Sequence, residues 1–166
     1  MSNLGLKKYL ESIDVDFIEA KVGDRYVLEE MRDKDYVLGG EQSGHIIFTD
    51  YNTTGDGLAT GLHLIEVMLE SQKPLSYLND LMTTYPQVLV NARVLDRKKK
   101  DYLADEVLEK AIEALKKKYE DRGRIVIRPS GTEPLIRVMI EGTDLVEMQE
   151  DAQVLADLIQ KQLGGE

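Results

Sequence analysis

Apolar residues recur along this chain in two rhythms, one of helices and one of strands. In residues 1–13, "MSNLGLKKYLESI", Leu4, Leu6, Tyr9, Leu10 and Ile13 gather roughly on one side of a short helix, with Ser2 as its cap. "VDFIEAKV", Val15 to Val22, reads as a strand, and "GDR" as a turn into a second helix, "YVLEEMRDK". "YVLGGEQSGHIIFTD" reads as strand, glycine-rich loop, strand. "GDGLATGLHLIEVMLES" then predicts a longer helix whose apolar face holds Leu58, Leu62, Leu64, Ile65, Met68 and Leu69, capped by Thr54 or Asp56. A short helix starting at Pro74 closes this half.

Pro86 marks the expected boundary, giving domains 1–86 and 87–166. Beyond it "QVLVNARV" alternates as a strand, and a helix follows with Leu108, Ala111, Ile112, Leu115 and Tyr119 on one face. Two strands, "RIVI" and "LIRVMIE", flank the loop "RPSGTEP". The last helix opens near Thr143 or Asp144, with Glu147 positioned for a capping box if Asp144 is the cap. Its stripe is Leu145, Met148, Ala152, Leu155, Ile159 and Leu163, and Gly164 stops it. The fold class is therefore mixed: α/β in the first domain, and a β-α-β-β-α, α+β arrangement with an antiparallel sheet in the second.

Composition narrows the function classes. The formal charge of -10 argues against a nucleic-acid binder, which needs a basic face. It is unevenly spread: 7 basic against 15 acidic residues up to Pro86, and 14 against 16 after it. Cysteine is absent, so no disulfide framework exists, and no apolar run or leader pattern suggests a membrane. A cytoplasmic protein is the expectation. No Cys/His cluster suggests zinc, and no run of carboxylates has the spacing of a magnesium or calcium loop. "RKKK", Arg97 to Lys100, reads as a solvated charge run, and His63 as a packed surface histidine.

Two loops carry candidate chemistry. "RPSGTEPLIR" brings Arg128, Ser130, Gly131, Thr132 and Arg137 around one turn. Guanidinium forks, hydroxyls and turned-in amides are what a phosphate dianion requires, while Pro129 and Pro134 stiffen the ends. The alternative is a polar hairpin turn whose Ser, Gly and Thr satisfy only local backbone groups. Glu133 counts against a bare anion trap and fits a role in orienting an arginine. In "GGEQSGH", Glu41, Ser43 and His45 offer an acceptor, a two-way hydroxyl and an imidazole, a set suited to vicinal sugar hydroxyls. A glycine-rich hairpin with His45 capping a strand explains the same letters. A third candidate is "VGDR", Val22 to Arg25, a turn that brings Asp24 and Arg25 to a strand end or merely forms a surface ion pair.

Taken together, "GGEQSGH" and "RPSGTEPLIR", with "MSNLG", "VGDRYVLEEM", "TTGDGL" and "QVLVNARV" between and around them, resemble the α-D-phosphohexomutase superfamily. The neighbouring segments point within it to the bacterial enzymes acting on glucosamine phosphates. The resemblance covers essentially the whole chain. It implies interconversion of glucosamine 6-phosphate and glucosamine 1-phosphate through a phosphoserine and a bisphosphate intermediate, toward cell-wall amino sugars. It implies that Glu41 and Ser43 contact sugar hydroxyls, that His45 lies near the reacting end, and that Arg128, Ser130, Gly131, Thr132 and Arg137 hold the distal phosphate. Asp24 and Arg25 match a cleft-lining loop of the family. A TATA-box-binding-protein-like architecture for residues 87–166 is implied in the same way. Mannose or glucose phosphate specificity, and a non-catalytic phosphosugar-binding module, stay open as alternatives.

The departures matter as much. The family's T-A-S-H-N-P serine loop and D-G-D-x-D magnesium loop do not occur here, so the sequence resembles the C-terminal portion of such an enzyme. The expected Mg²⁺ ligands lie outside this chain, and the chain alone is expected to show no turnover. The family also has a strand before the first helix. Its loss would leave an incomplete first domain and make the part after Pro86 the more stable half.

Overall fold

The computed structural model describes residues 2–164, and the chain divides between Thr84 and Tyr85 into two compact units. The first unit opens with helix α1, Leu4–Ser12, capped by Asn3, whose Oδ1 accepts the Gly5 amide at 3.0 Å. The cap is thus Asn3 and not Ser2. Helix α2, Asp24–Asp33, packs on a hairpin of β1, Leu38–Gly40, and β2, Ile46–Phe48. That packing explains Gly39. A Cβ there would lie 2.7 Å from Val27 Cγ1 and collide with Met31 Sδ, so only glycine lets the helix close on the strand. Helix α3, Gly57–Ser71, is capped by Asp56, whose Oδ1 accepts the amides of Leu58 and Ala59 at 2.9 and 3.0 Å. The short helix α4, Leu75–Asn79, takes Pro74 as its cap.

Two further sequence expectations fail in this unit. Val15 to Val22 is not a strand, and Val15, Ile18 and Val22 are exposed. Apolar and β-branched residues favour an extended backbone, but a strand exists only where another strand accepts its backbone bonds, and among the described residues none pairs with it. The apolar face of α3 is likewise real but uncovered. Leu58 is 77 % exposed and Leu69 73 %, and no residue of this helix is buried. Two strands of three residues each offer too little area to cover fifteen residues of helix.

The second unit realises the expected β-α-β-β-α order. Strands β3, Gln87–Arg93, β4, Arg124–Pro129, and β5, Leu135–Glu141, form an antiparallel sheet with β5 in the centre. Helices α5, Glu106–Tyr119, and α6, Leu145–Leu163, pack on one face of it. Alternation along the strands sends Val88, Val90 and Ala92, Ile125 and Ile127, and Ile136, Val138 and Ile140 into a core with Leu108, Ile112, Met148, Leu155 and Ile159. The opposite face mixes Leu89, Val126 and buried Met139 with Asn91, Arg128 and Arg137, and there the candidate chemistry sits. Leu145, expected in the α6 stripe, is exposed at the first turn, where the helix has not yet reached the sheet.

Asp144 caps α6 as expected, accepting the amides of Val146 and Glu147 at 3.0 Å each. Glu147 does not complete a capping box. Its carboxylate takes two hydrogen bonds from Arg122, at 2.7 and 2.9 Å, and an ion pair with Lys118 at 3.0 Å. A guanidinium fork outcompetes a single backbone amide. Arg122 first, then Lys118, holds the Glu147 carboxyl down at about 2. Its folded value lies below its unfolded one, so its contribution to stability is complete above about pH 4.5 and is lost as pH falls toward about 2. Thermal melts by circular dichroism over that window should therefore fall more steeply for the native chain than for Glu147→Gln. Parallel curves would show that the pair carries no pH-dependent stability.

Candidate functional site: two polar loops

In the first unit the hairpin tip is a tight turn. The Glu41 amide donates to His45 O and the Gly44 amide to Glu41 O, both at 3.0 Å, and Gly44 sits at φ +97°, where side chains are strained. The turn brings all three candidates together. Ser43 Oγ and His45 Nδ1 share a hydrogen bond at 3.0 Å, with Glu41 Oε1 3.7 Å from the same nitrogen. The Glu41 side chain is 17 % exposed and that of His45 53 %, so the carboxylate is held in place while the imidazole faces solvent. Gly55 permits this: a Cβ there would come within 3.2 Å of the His45 ring and its Cβ. The cluster offers a fixed acceptor beside a hydroxyl that both donates and accepts, which matches a pair of neighbouring sugar hydroxyls.

Asp24 and Arg25 do not form a turn at a strand end. They occupy the first turn of α2, where Asp24 Oδ1 accepts the Arg25 amide and Arg25 Nε donates to Glu29 Oε1 at 2.9 Å. Arg25 is 82 % exposed, and no hydrogen bond joins either residue to the Glu41–His45 turn among the described residues. Glu29 raises the Arg25 pKa by hydrogen bonding, which keeps the charge on but commits the guanidinium to its own helix.

In the second unit, register places Arg128 of β4 directly opposite Arg137 of β5, with Asn91 of β3 across from Arg137 on the other side. All three lie on the face away from the helices. Like charges facing one another across a ladder are destabilising. Glu133 partly offsets this by accepting a bond from Arg137 Nη2 at 3.1 Å, the orienting role expected of it, whereas Arg128 has no ion pair among the described residues. The sheet thus sets two guanidiniums side by side with a carboxylate bonded to Arg137 alone, which leaves a net positive charge here.

The loop between those strands completes the arrangement. Buried Ser130 donates its amide to Leu135 O at 2.9 Å, and its Oγ accepts the Glu133 amide at 3.2 Å, leaving the hydroxyl proton free to donate. The amides of Gly131 and Thr132 donate to nothing among the described residues, and nothing lies within 4 Å of where a Gly131 Cβ would sit. Two open amides and two hydroxyls thus lie in one turn, with two guanidiniums on the strands that flank it and Glu133 as its one carboxylate. All five named residues were readable in the sequence, but the alignment of Arg137 with Arg128 is a matter of register.

One partner of this loop escaped the sequence reading. Arg97 to Lys100 is not a solvated charge run throughout, because Lys99 turns inward from a 3₁₀ turn, Asp96–Lys98. Its Nζ donates to Ser130 O at 2.9 Å and Glu133 O at 3.1 Å, and pairs with Asp96 at 2.7 Å. No periodicity in "DRKKKD" marks the third basic residue as different. His63 behaves as expected, packed on the rings of Phe48 and Tyr51 with Nδ1 3.1 Å from Glu66. Among the described residues, no group of three or more His, Asp or Glu could hold a metal ion, and no helix is long and apolar enough to cross a membrane.

Comparison with known proteins places both loops in a family context. Residues 1–85 match Phosphoglucomutase/phosphomannomutase, alpha/beta/alpha domain III, and residues 89–158 match Phosphoglucomutase/phosphomannomutase, C-terminal domain. The chain is 54% identical over 161 residues to a phosphoglucosamine mutase of Finegoldia magna, and 55% identical over 163 residues to one of Caldanaerobacter subterraneus subsp. tengcongensis. These alignments take in 97% and 98% of this chain but only 36% of either relative. Among solved structures, N-acetylphosphoglucosamine mutase of Aspergillus fumigatus shares the fold at a TM-score of 0.80 and 21% identity, over 96% of this chain and 37% of that one. A structure of the same fungal enzyme in complex with GlcNAc-6P and magnesium aligns at 0.73 and 20% identity, over 96% and 37%. On these matches the chain belongs to the phosphoglucomutase/phosphomannomutase family, with its domain III and C-terminal domain side by side in one sequence.

Proposed function

We propose that this chain supplies the substrate-gripping part of a phosphoglucosamine mutase, an isomerase that interconverts glucosamine 6-phosphate and glucosamine 1-phosphate in the cytoplasm, toward cell-wall amino sugars. The observation that carries the reading is the open turn at Ser130–Thr132 between Arg128 and Arg137. Its free donors match the oxygens of a phosphate monoester, and each charge-assisted bond contributes roughly 1.5–3 kcal/mol. Ser130 Oγ, the amides of Gly131 and Thr132, and the two guanidiniums hold the phosphate that does not react. Glu41 and Ser43 read the sugar hydroxyls, His45 stands near the reacting end, and Asp24 and Arg25 keep a lesser role at the margin of that site. Identity of 54–55% to phosphoglucosamine mutases favours a glucosamine phosphate over mannose or glucose phosphates.

Phosphoryl transfer needs a donor and a cation that offsets charge on the moving group. In the whole enzyme a phosphoserine gives its phosphoryl group to the sugar phosphate. The resulting bisphosphate turns round and returns its other phosphoryl group to the serine. The fungal structure contains magnesium, and in this reading the ligands of such an ion lie in parts of the whole enzyme outside this chain. The 166 residues by themselves therefore bind without turning over substrate.

The test is an NMR titration of the chain with glucosamine 6-phosphate, alongside glucosamine and inorganic phosphate. Amide shifts at Ser130, Gly131 and Thr132 are expected with both phosphorylated ligands, and added shifts from Glu41 to His45 only with the sugar phosphate. Shifts elsewhere, or none at millimolar ligand, would overturn the assignment of the loops.

A further inference from the structure

The ammonium of Lys99 reaches the anion loop from behind, and its geometry carries a role of its own. Lysine has three donors, and here each has one oxygen: Ser130 O, Glu133 O and Asp96 Oδ1. Its side chain is 14 % exposed, against 76 % for Asp96, so it is a fixed strut with an outer counter-charge. Asp96 neutralises it at 2.7 Å, which leaves little net charge to attract a ligand. What Lys99 supplies is direction.

The reason lies in the peptide unit. Ser130 C=O and Gly131 N–H belong to one planar trans group and point in opposite directions. Holding the carbonyl toward Lys99 turns the amide away from it, toward the open side of the loop where nothing lies within 4 Å of a Gly131 Cβ. Such a unit is easily reversed, because glycine accepts both signs of φ and the flip meets no side chain. Among the described residues, no other group donates to Ser130 O. The second bond, to Glu133 O, ties down the far side of the turn, so the strut spans the segment that contains both free amides.

We propose that Lys99 is a positioning residue of the phosphate loop: by clamping the carbonyls of Ser130 and Glu133 it presents the Gly131 amide to the anion. The inference rests on the reading of this loop as a phosphate site. Lys99 touches no ligand and does not act as a second Arg128. Charge and orientation make opposite predictions about salt, since screening weakens an attraction at a distance but leaves a misdirected donor misdirected.

The experiment compares native chain, Lys99→Met, Lys99→Arg, Asp96→Asn and Lys100→Met, all 166 residues long, by amide NMR with inorganic phosphate and with glucosamine 6-phosphate. Lys100 is an exposed neighbour in the same basic run and has no hydrogen bond to the loop among the described residues, so it controls for charge alone. For Lys99→Met the Gly131 amide should move in the ligand-free spectrum, and phosphate affinity should fall roughly 10-fold, at low salt and at about 0.5 M salt alike. Lys100→Met should show a small loss that salt erases. Lys99→Arg should recover part of the affinity, and Asp96→Asn, which loosens the strut without removing it, should lie between native and Lys99→Met.

Equal affinity for native chain and Lys99→Met would overturn the inference while leaving the phosphate site standing. So would a Lys99→Met loss that matches Lys100→Met and vanishes in salt. If Lys99→Met does not fold, Asp96→Asn decides by the same two readouts. A native chain that binds neither ligand would instead remove the phosphate reading, and the inference with it.

Discussion

Replacing Arg128 with alanine should abolish most phosphate binding and leave the second unit as stable as before, or slightly more so. The side chain lies opposite Arg137 with no carboxylate of its own among the described residues, so the fold gains nothing from its charge. Loss of one guanidinium contact is expected to weaken phosphate or glucosamine 6-phosphate binding by roughly 1.5–3 kcal/mol, about 10- to 150-fold. Relief of the facing like charges adds back on the order of 0.2–1 kcal/mol of stability. Arg128→Lys should fall between, since an ammonium keeps the charge but cannot bond two oxygens in one plane. Titration calorimetry and a thermal melt read the two effects separately. A variant that binds as tightly as the native chain removes Arg128 from the site. One that loses several degrees of melting temperature shows that the residue serves the fold.

Hydrogen exchange should divide the chain near Thr84. Amides of β5 and α6 are expected to exchange most slowly, through unfolding of the whole second unit, because the contiguous core from Val88 to Leu163 lies under them. In the first unit the buried apolar residues are Leu4, Met31 and Ile47, while α3 buries none of its residues. Its helices and hairpin should exchange at least roughly 100-fold faster, the equivalent of about 2.7 kcal/mol of opening free energy. Equal or stronger protection in the first unit would mean that something other than apolar burial holds it together. Mass spectrometry on peptides resolves the halves without assigning single amides.

These two predictions separate what binds from what folds. Arg128 and Arg137 cost little to the core because they stand on the sheet face that the helices leave bare, and the loop with Ser130 and Thr132 hangs between β4 and β5, which hold its ends. The hairpin loop of the first unit depends on tighter local geometry. Gly39 and Gly55 make room for Met31 and His45, and Gly44 makes the turn, so its three candidate side chains are placed by glycines more than by a core.

Much of this was written in the sequence. Period 3.6 marked α3, α5 and α6, period 2 marked β3, and Asp56 and Asp144 stood among the expected caps, because these signals act between residues a few positions apart. The candidate loops were legible for the same reason: Glu41, Ser43 and His45 lie within one turn, and Arg128 to Thr132 within another. What depended on distant residues was not. Val15 to Val22 reads as a strand, yet no strand of the described residues accepts it. The α3 face reads as core, yet nothing in its unit buries it. Glu147 reads as a cap and becomes the partner of Arg122, and Lys99 reads as one of four solvated cations and becomes the strut of a loop more than thirty positions away. Local propensity decides which conformation a segment prefers and which face it offers. Only the packed chain decides who meets that face, because the partners of a backbone carbonyl, a carboxylate or an ammonium are chosen by distance in space, where sequence separation no longer counts.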